Sequence, residues 1–559
     1  MPRPLPSLAG LALLAALACG DGPRDDLGPG PGGDAGAPDA TSGDAGPSDV
    51  GPVDAGPTRC PVDVAPEPGV VVTEAGAVRG VPNGEAGWVY RGVPYAAPPI
   101  GERRWRAPEP HACYDGVFVA DAFGAECPQY GEGDAVIGDE DCLGLNVWTP
   151  VGEPDGAARP VLVWIHGGGH EQGSGSRAIY DGSALARDED VVVVTFNYRL
   201  GPFGFLSHPD LDAADAPSGN YGMRDQVAAL EWVQANIAGF GGDPNRVLIF
   251  GQSAGSVSAC RLVASPAAAD LFHAAVLQSG GCVAAPKARA DATGVAFAAD
   301  AGCAAGADAR ACLGALSTEH LIRAFDRLGS GTNTVGSGSW TGVIDGDLLG
   351  AHPRDIIEAG QHNRVPVIVG STREENGREA PLLRTEAEYR AAVRALYGAA
   401  GVPAAVIDAA LEVYPVEDYA SPRAAYVALT SDARFTCPAR IDADLFAAGQ
   451  DEPVYRYLFA HTADNGSPLL TSQGAWHGID LFFVFGTLET ASPLEAGPGD
   501  EAVIAATQSA WTSLARRGSL GDASWPAWDG TRLRLFDDGF ADVADPRAEP
   551  CDFWAPLLR

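Results

Sequence analysis

Positive charge is what this chain has least of. Against 73 Asp and Glu stand 37 Lys and Arg, a formal net charge of −36 at pH 7 over 559 residues. A surface so acidic repels phosphate backbones, which argues against nucleic acid as a partner and favours solubility. Long hydrophobic runs are missing too: beyond the N-terminus no apolar stretch approaches the length that crosses a bilayer, so the main body is read as soluble. No C-x-x-C pair occurs and no cysteine has a histidine beside it, which removes the usual reason to expect a zinc site. Between Gly20 and Arg59 large apolar side chains are nearly absent, and Gly, Pro, Ala and Asp take over. Such a segment cannot offset its ordering entropy and reads as a disordered acidic tether.

Arg3 precedes an apolar run from Leu5 to Ala18 that is too short to span a membrane and ends in small residues, the pattern of a secretory signal. Two cleavage readings stay open. Ala16-Leu17-Ala18 fits ordinary signal peptidase, whereas Leu17-Ala18-Cys19 fits a bacterial lipobox, with Ala16 where leucine is usual. The second is preferred because it gives Cys19 a use, as a lipidated first residue. Residues 1–18 are then a signal peptide, 19–59 the tether and 60–559 the folded domain. The protein is expected to be exported and held at a membrane only through the lipid on Cys19, or else secreted or periplasmic. Ten cysteines remain, an even number that suits disulfides in an oxidising compartment. Cys127 with Cys142 and Cys303 with Cys312 close local loops, Cys260 with Cys282 bridges a helix, and Cys437 with Cys551 ties down the C-terminus. Cys60 with Cys113 follows by elimination, and spacing alone does not fix any of these connectivities.

Short alternating runs from Val70 to Arg91, broken at Asn83-Gly84, predict an N-terminal hairpin or meander. Tyr90 to Ala96 and the proline-rich run to Pro110 read as loop. Glu140 to Pro150 is a strand entered from it. Pro160 to Ile165 and Val191 to Phe196 are continuous apolar runs, as expected of strands buried on both faces. Tyr221 to Ala238 has helical spacing, and Arg246 to Phe250, Ala274 to Gln278 and Val365 to Gly370 are further strands. Strand and helix in alternation imply a large, mostly parallel sheet wrapped by helices on both faces, with its ligand site at the carboxyl ends of the strands. Helical insertions at 284–363 and 379–432 are expected to roof that site.

Two motifs fall at that edge. Arg246 to Cys260, RVLIFGQSAGSVSAC, reads as strand, sharp turn and helix, and Gly251-Gln252-Ser253-Ala254-Gly255 is a G-x-S-x-G turn that holds its serine in a strained conformation with Oγ lifted off the sheet. Ser253 is the candidate nucleophile. His166-Gly167-Gly168-Gly169-His170 breaks the strand before it; its glycines let N–H groups turn toward one point, as an oxyanion hole requires. No carboxylate or third histidine with ligand spacing accompanies it, so no metal is expected there.

These residues resemble the type-B carboxylesterase and lipase family, α/β-hydrolases that include cholinesterases, liver-type carboxylesterases and bacterial para-nitrobenzyl esterases. The resemblance runs from about Val70 to Leu558 and is carried by Arg91 to Ala96, Glu140 to Pro150, HGGG at 166–169, Gly219 to Gly222 with Asp225-Gln226, Phe240 to Pro244, the Ser253 turn and Gln278-Ser279-Gly280. It implies a Ser, Glu, His triad in that chain order. Gly370-Ser371-Thr372-Arg373-Glu374-Glu375 offers two carboxylates; the family spacing selects Glu375, with Glu374 the alternative. Gly474 to Asp480 resembles the histidine loop, so His477 is the implied base. Gly168, Gly169 and Ala254 would supply the oxyanion N–H groups. Gln252, Ser279 and Asp480 would back the triad. Arg104 with Glu140 and Arg199 with Asp225 would form partly buried ion pairs beside it.

The implied activity is hydrolysis of small or medium carboxylic esters without a cofactor. Lipase, sterol esterase or carbamate hydrolase chemistry on the same triad is the alternative, and a non-catalytic adhesion protein on this fold is a third reading, opposed by the intact triad. Two departures stand out: Gln252 where the family usually has Glu before the serine, and Asp480 where it has Glu after the histidine. With no tryptophan in the Cys127–Cys142 loop, they argue against a choline-ester specialist. Oligomeric state has no signal in the sequence.

Overall fold

The computed structural model describes Cys60 and residues 67–558, apart from 153–156, 213–216, 305, 307, 327–339, 466–470, 492–495 and 522–524. The signal peptide, the tether and Cys19 lie outside the described residues. Eleven strands make one sheet: β1 (Val81–Pro82), β2 (Trp88–Pro94), β3 (Gly144–Thr149), β4 (Arg159–Ile165), β5 (Val192–Phe196), β6 (Gly242–Gln252), β7 (Ala274–Gln278), β8 (Val367–Thr372), β9 (Val454–Phe459), β10 (Arg532–Phe536) and β11 (Asp542–Ala544). Their spatial order is β11-β10-β9-β8-β7-β6-β4-β5-β3-β2-β1. From β10 across to β5 every neighbour is parallel; antiparallel pairing is confined to the two ends. This is the α/β-hydrolase fold.

The apolar runs explain why. On β4, Val161, Val163 and Ile165 enter one core and Leu162 and Trp164 the other, and Val247, Ile249 and Leu248, Phe250 divide in the same way on β6. A strand covered on both faces needs apolar residues at every position, so period-2 alternation disappears. Helices α1 (Tyr221–Asn236), α2 (Ala254–Ala264) and α3 (Cys437–Gly449) lie on the first face, and α4 (Pro498–Arg517) brings Val503, Trp511 and Leu514 to the second.

One expected loop is a strand. Arg91 to Pro94 belong to β2, which pairs with β3 across a register shift between Tyr90 and Val93. Gly92 sits at the bulge with φ +65°, and the extra residue masks the alternation that would have marked the strand. The 284–363 insertion contains helices Lys287–Asp300, Ala309–Gly314, Thr318–Asp326 and Pro353–Glu358, and the second insertion Glu386–Ala399, Ala404–Val413 and Pro422–Ser431.

Five disulfides join Cys60 to Cys113, Cys127 to Cys142, Cys260 to Cys282, Cys303 to Cys312 and Cys437 to Cys551, the partners named from the sequence. The last pins the terminal helix Ala548–Leu558 against α3. Among the described residues no helix is long and apolar enough to cross a membrane.

Candidate active site

Parallel register assembles the site. Gln252 on β6 pairs with Gln278 on β7, Gln278 with Gly370 on β8, and Gly370 with Tyr457 on β9. Four strands therefore reach one row, where β6 and β7 end and β8 and β9 run two residues further, and the segments that leave them meet above it. Ser253 is the turn between β6 and α2, with φ 57° and ψ −126°, a combination a non-glycine residue adopts only when its surroundings impose it. Its N–H bonds Gln278 O at 2.9 Å and its carbonyl accepts from Val257 N at 3.0 Å, which fixes the turn from both sides. Close packing needs glycine at the far end of the motif: a Cβ on Gly255 would stand 2.0 Å from Ile165 O.

Glu375 and His477 face each other over that turn. His477 Nδ1 lies 2.5 Å from Glu375 Oε2, and the other carboxylate oxygen accepts from Thr372 N at 2.8 Å. The two loops are also laced through main chain, His477 N donating to Glu375 O at 3.1 Å. Glu375 is 2% exposed. Glu374, the alternative, turns outward to Arg373 Nε at 2.6 Å and accepts from Ala475 N at 2.9 Å. A carboxylate at Nδ1 makes that nitrogen the proton carrier, so the unprotonated ring keeps a lone pair on Nε2. That lone pair points at Gln252, whose Nε2 is 3.0 Å away. Among the described hydrogen bonds, none joins Ser253 Oγ to the imidazole.

The glycine loop stands beside the serine. Gly168 (φ +112°) and Gly169 (φ +68°) are both in the left-handed half of backbone space. A Cβ on Gly168 would meet Gln172 O at 2.0 Å, whereas one on Gly169 would meet nothing within 4 Å, so the loop is packed behind and open in front. Ala254 opens α2, so its N–H is one of the first-turn donors that no helical carbonyl can reach. The two flanking histidines are scaffold. His166 stacks on Tyr198 at 4.4 Å and bonds Gly167 O at 2.9 Å, and burial pushes its pKa down to about 4. His170 meets Ser258 Oγ at 3.0 Å and is pushed well down, chiefly by burial and next by the Arg261 charge.

Asp480 is buried behind the triad, accepting from Gln278 Nε2 at 2.8 Å and from Tyr457 OH at 3.3 Å, while its Oδ1 has no hydrogen-bond partner. Burial, with the Glu375 charge adding to it, lifts its pKa to about 6. Ser279 touches the site only through backbone: its N–H donates to Gly370 O at 2.8 Å, and its Oγ is buried without a partner. Arg199 and Asp225 form a two-pronged pair at 2.7 and 2.8 Å, almost wholly buried. Arg104 clasps Glu140 through both Nε and Nη2, and Thr318 Oγ1 adds a third bond to that carboxylate at 2.5 Å.

Three neighbours were not legible in the sequence. Phe435 packs its ring 4.7 Å from that of His477, presented by a π-helical turn, Asp432–Thr436, of the kind that recurs at functional sites. Tyr457 and Trp511 complete the network of Asp480 and Gln278, Trp511 Nε1 lying 3.4 Å from Gln278 Oε1. The sequence pointed to this network through Asp480 and the Gln278 motif. Among the described residues another cluster has metal-ligand chemistry: His461, Asp464 and Asp500 bring ligand atoms within 4.8 Å of one another. Here His461 bonds Asp500 at 2.8 Å, and Asp500 accepts from Gly497 N at 2.9 Å to cap α4.

Residues 67–554 match the carboxylesterase family. The chain is 36% identical over 479 residues to fumonisin B1 esterase of Sphingopyxis macrogoltabida, covering 82% of this chain and 84% of that protein. It is 34% identical over 498 residues to para-nitrobenzyl esterase of Bacillus subtilis (strain 168), covering 86% and 97%. A solved thermophilic PNB esterase superposes with a TM-score of 0.74 at 32% identity, over 87% of this chain and 100% of that one.

Proposed function

Since the chain belongs to the carboxylesterase family and is a carboxylic ester hydrolase, we propose that it works through Ser253, His477 and Glu375 by way of an acyl-enzyme. Ser253 Oγ attacks the ester carbonyl while His477 Nε2 takes its proton. Glu375 holds the ring in the Nδ1–H tautomer and steadies the imidazolium that forms. The N–H groups of Gly168, Gly169 and Ala254 receive the developing oxyanion. His477 then passes its proton to the departing alcohol. Water repeats the sequence on the acyl-enzyme and releases the acid. The observation that carries this reading is the 2.5 Å contact between His477 Nδ1 and a buried Glu375 beside a strained Ser253.

The substrate on this reading is a small or medium carboxylic ester. Two of the relatives it matches, fumonisin B1 esterase and para-nitrobenzyl esterase, support this reading. Para-nitrophenyl acetate, butyrate and palmitate assayed with wild type and Ser253→Ala test it. The short esters should be cleaved by wild type alone; a rate that peaks at palmitate would shift the assignment to lipase. The export reading rests on the Leu5–Ala18 run followed by Cys19, and five disulfides are in keeping with an oxidising compartment. We divide the chain into signal 1–18, tether 19–59 and catalytic domain 60–559, anchored through Cys19. Mass spectrometry of the mature N-terminus tests this: a lipidated Cys19 supports it, and a start at unmodified Cys19 or beyond contradicts the anchor.

A further inference from the structure

Gln252 occupies a position from which it controls the base. It is the last residue of β6 and nearly buried, and its amide reaches across to His477 while the next residue in the chain is the nucleophile. With Glu375 accepting the hydrogen bond from Nδ1–H, Nε2 has one in-plane lone pair, and that single acceptor cannot serve two donors at full strength. In the structure the donor it meets is the Gln252 amide at 3.0 Å, not the serine hydroxyl.

We propose that Gln252 is a positioning residue that caps the base, its amide N–H holding the Nε2 lone pair of unprotonated His477 and withholding it from Ser253 until the site is engaged. The inference rests on the triad reading above and goes beyond it. Two consequences follow from the chemistry of an amide. To form the catalytic pair, the imidazole must exchange the amide N–H for the serine O–H, so part of the serine's reactivity is held back at rest. A proton on Nε2 would meet the amide N–H unless the side chain turned its carbonyl inward, and even then the amide brings no charge to hold that proton, whereas a carboxylate would.

The other groups that face the ring stay constant when Gln252 is changed. Glu375 sits at Nδ1, and Asp480 lies behind it with Gln278 and Tyr457. Phe435 covers one side, and Arg434 lies beside Phe435 with its Nη1 3.4 Å from Asn376 Oδ1. Among the described residues only Gln252 hydrogen-bonds Nε2, so a change there reads out on that nitrogen.

The test is the pH profile of kcat/KM on para-nitrophenyl butyrate for wild type, Gln252→Glu and Gln252→Met, with thermal midpoints and fluorophosphonate labelling of Ser253 alongside. Gln252→Glu places an acceptor and a charge at Nε2, and its acid limb should move up by about 1 pH unit or more. Gln252→Met removes the donor at similar size. Its acid limb should move up by about half a unit, and its labelling at alkaline pH should be up to about tenfold faster. Acid limbs that coincide in all three proteins, with the wild type labelled at Ser253, overturn the cap and leave the triad standing. No labelling of wild-type Ser253 sinks the triad reading and the cap with it. A merely structural glutamine would lower thermal midpoints without moving either limb, and should one variant fail to fold, the other carries the same comparison.

Discussion

Replacing Glu375 by Gln separates the two adjacent carboxylates of the β8 turn. In the wild type a carboxylate 2% exposed accepts from His477 Nδ1 at 2.5 Å and from Thr372 N at 2.8 Å. Glutamine fills the same volume and keeps the Thr372 bond through its carbonyl oxygen. Its NH2 group then faces Nδ1, which forces the ring proton onto Nε2, the nitrogen proposed to accept from Ser253. The imidazolium also loses its counter-charge. An amide in place of the triad acid lowers kcat by about 10⁴, equivalent to about 5.5 kcal/mol at 1.36 kcal/mol per decade. Glu374→Gln changes an ion pair with Arg373 that is partly open to solvent, and glutamine can still accept from Ala475 N. It should alter kcat by less than about threefold, in line with the small worth of such pairs. Steady-state hydrolysis of para-nitrophenyl butyrate by both purified variants decides the matter. A 10⁴-fold loss in Glu374→Gln with near-normal Glu375→Gln would refute the argument from burial and geometry.

Gly168→Ala should lose about 10²- to 10³-fold in kcat while binding the same inhibitors, because a Cβ 2.0 Å from Gln172 O must displace the amide proposed to receive the oxyanion; unchanged kcat would remove Gly168 from the hole. Asp480 gives a stability prediction with a definite sign. Its pKa is raised to about 6, first by burial, so the folded chain holds the Asp480 proton more tightly than the unfolded chain does. Its contribution is fully present below about pH 4 and is lost as pH rises to about 6. Asp480→Asn lacks that loss, so its advantage over wild type in denaturant unfolding should grow across this window by at most about 3 kcal/mol and then level off. Parallel curves for the two proteins would contradict the buried-acid assignment.

The sheet was readable because its central strands are buried on both faces, so Pro160 to Ile165 and Val191 to Phe196 stand out as unbroken apolar runs. Their ends shifted by only a residue or two, to Arg159–Ile165 and Val192–Phe196. Arg91 to Pro94 was misread as loop because a bulge at Gly92 interrupts the period and a proline closes it. The candidate site was legible where chemistry is local, in the Ser253 turn, the glycine loop and the histidine loop. The pair Glu374 and Glu375 could not be separated from the residues alone, since which of two neighbours turns inward depends on how the His477 loop meets the β8 turn. Phe435 and Tyr457 carry no motif at all. They reach the site through a π-helical turn and through the register of β9, both products of tertiary packing.

Covalent trapping at the serine tests the central claim most directly. The intact mass of wild-type protein mixed with a para-nitrophenyl phosphonate should rise by one phosphonyl group, with the adduct mapping to the Ser253 peptide and absent from Ser253→Ala and from protein denatured beforehand. An active enzyme that stays unmodified, or one labelled at any residue other than Ser253, would contradict the account.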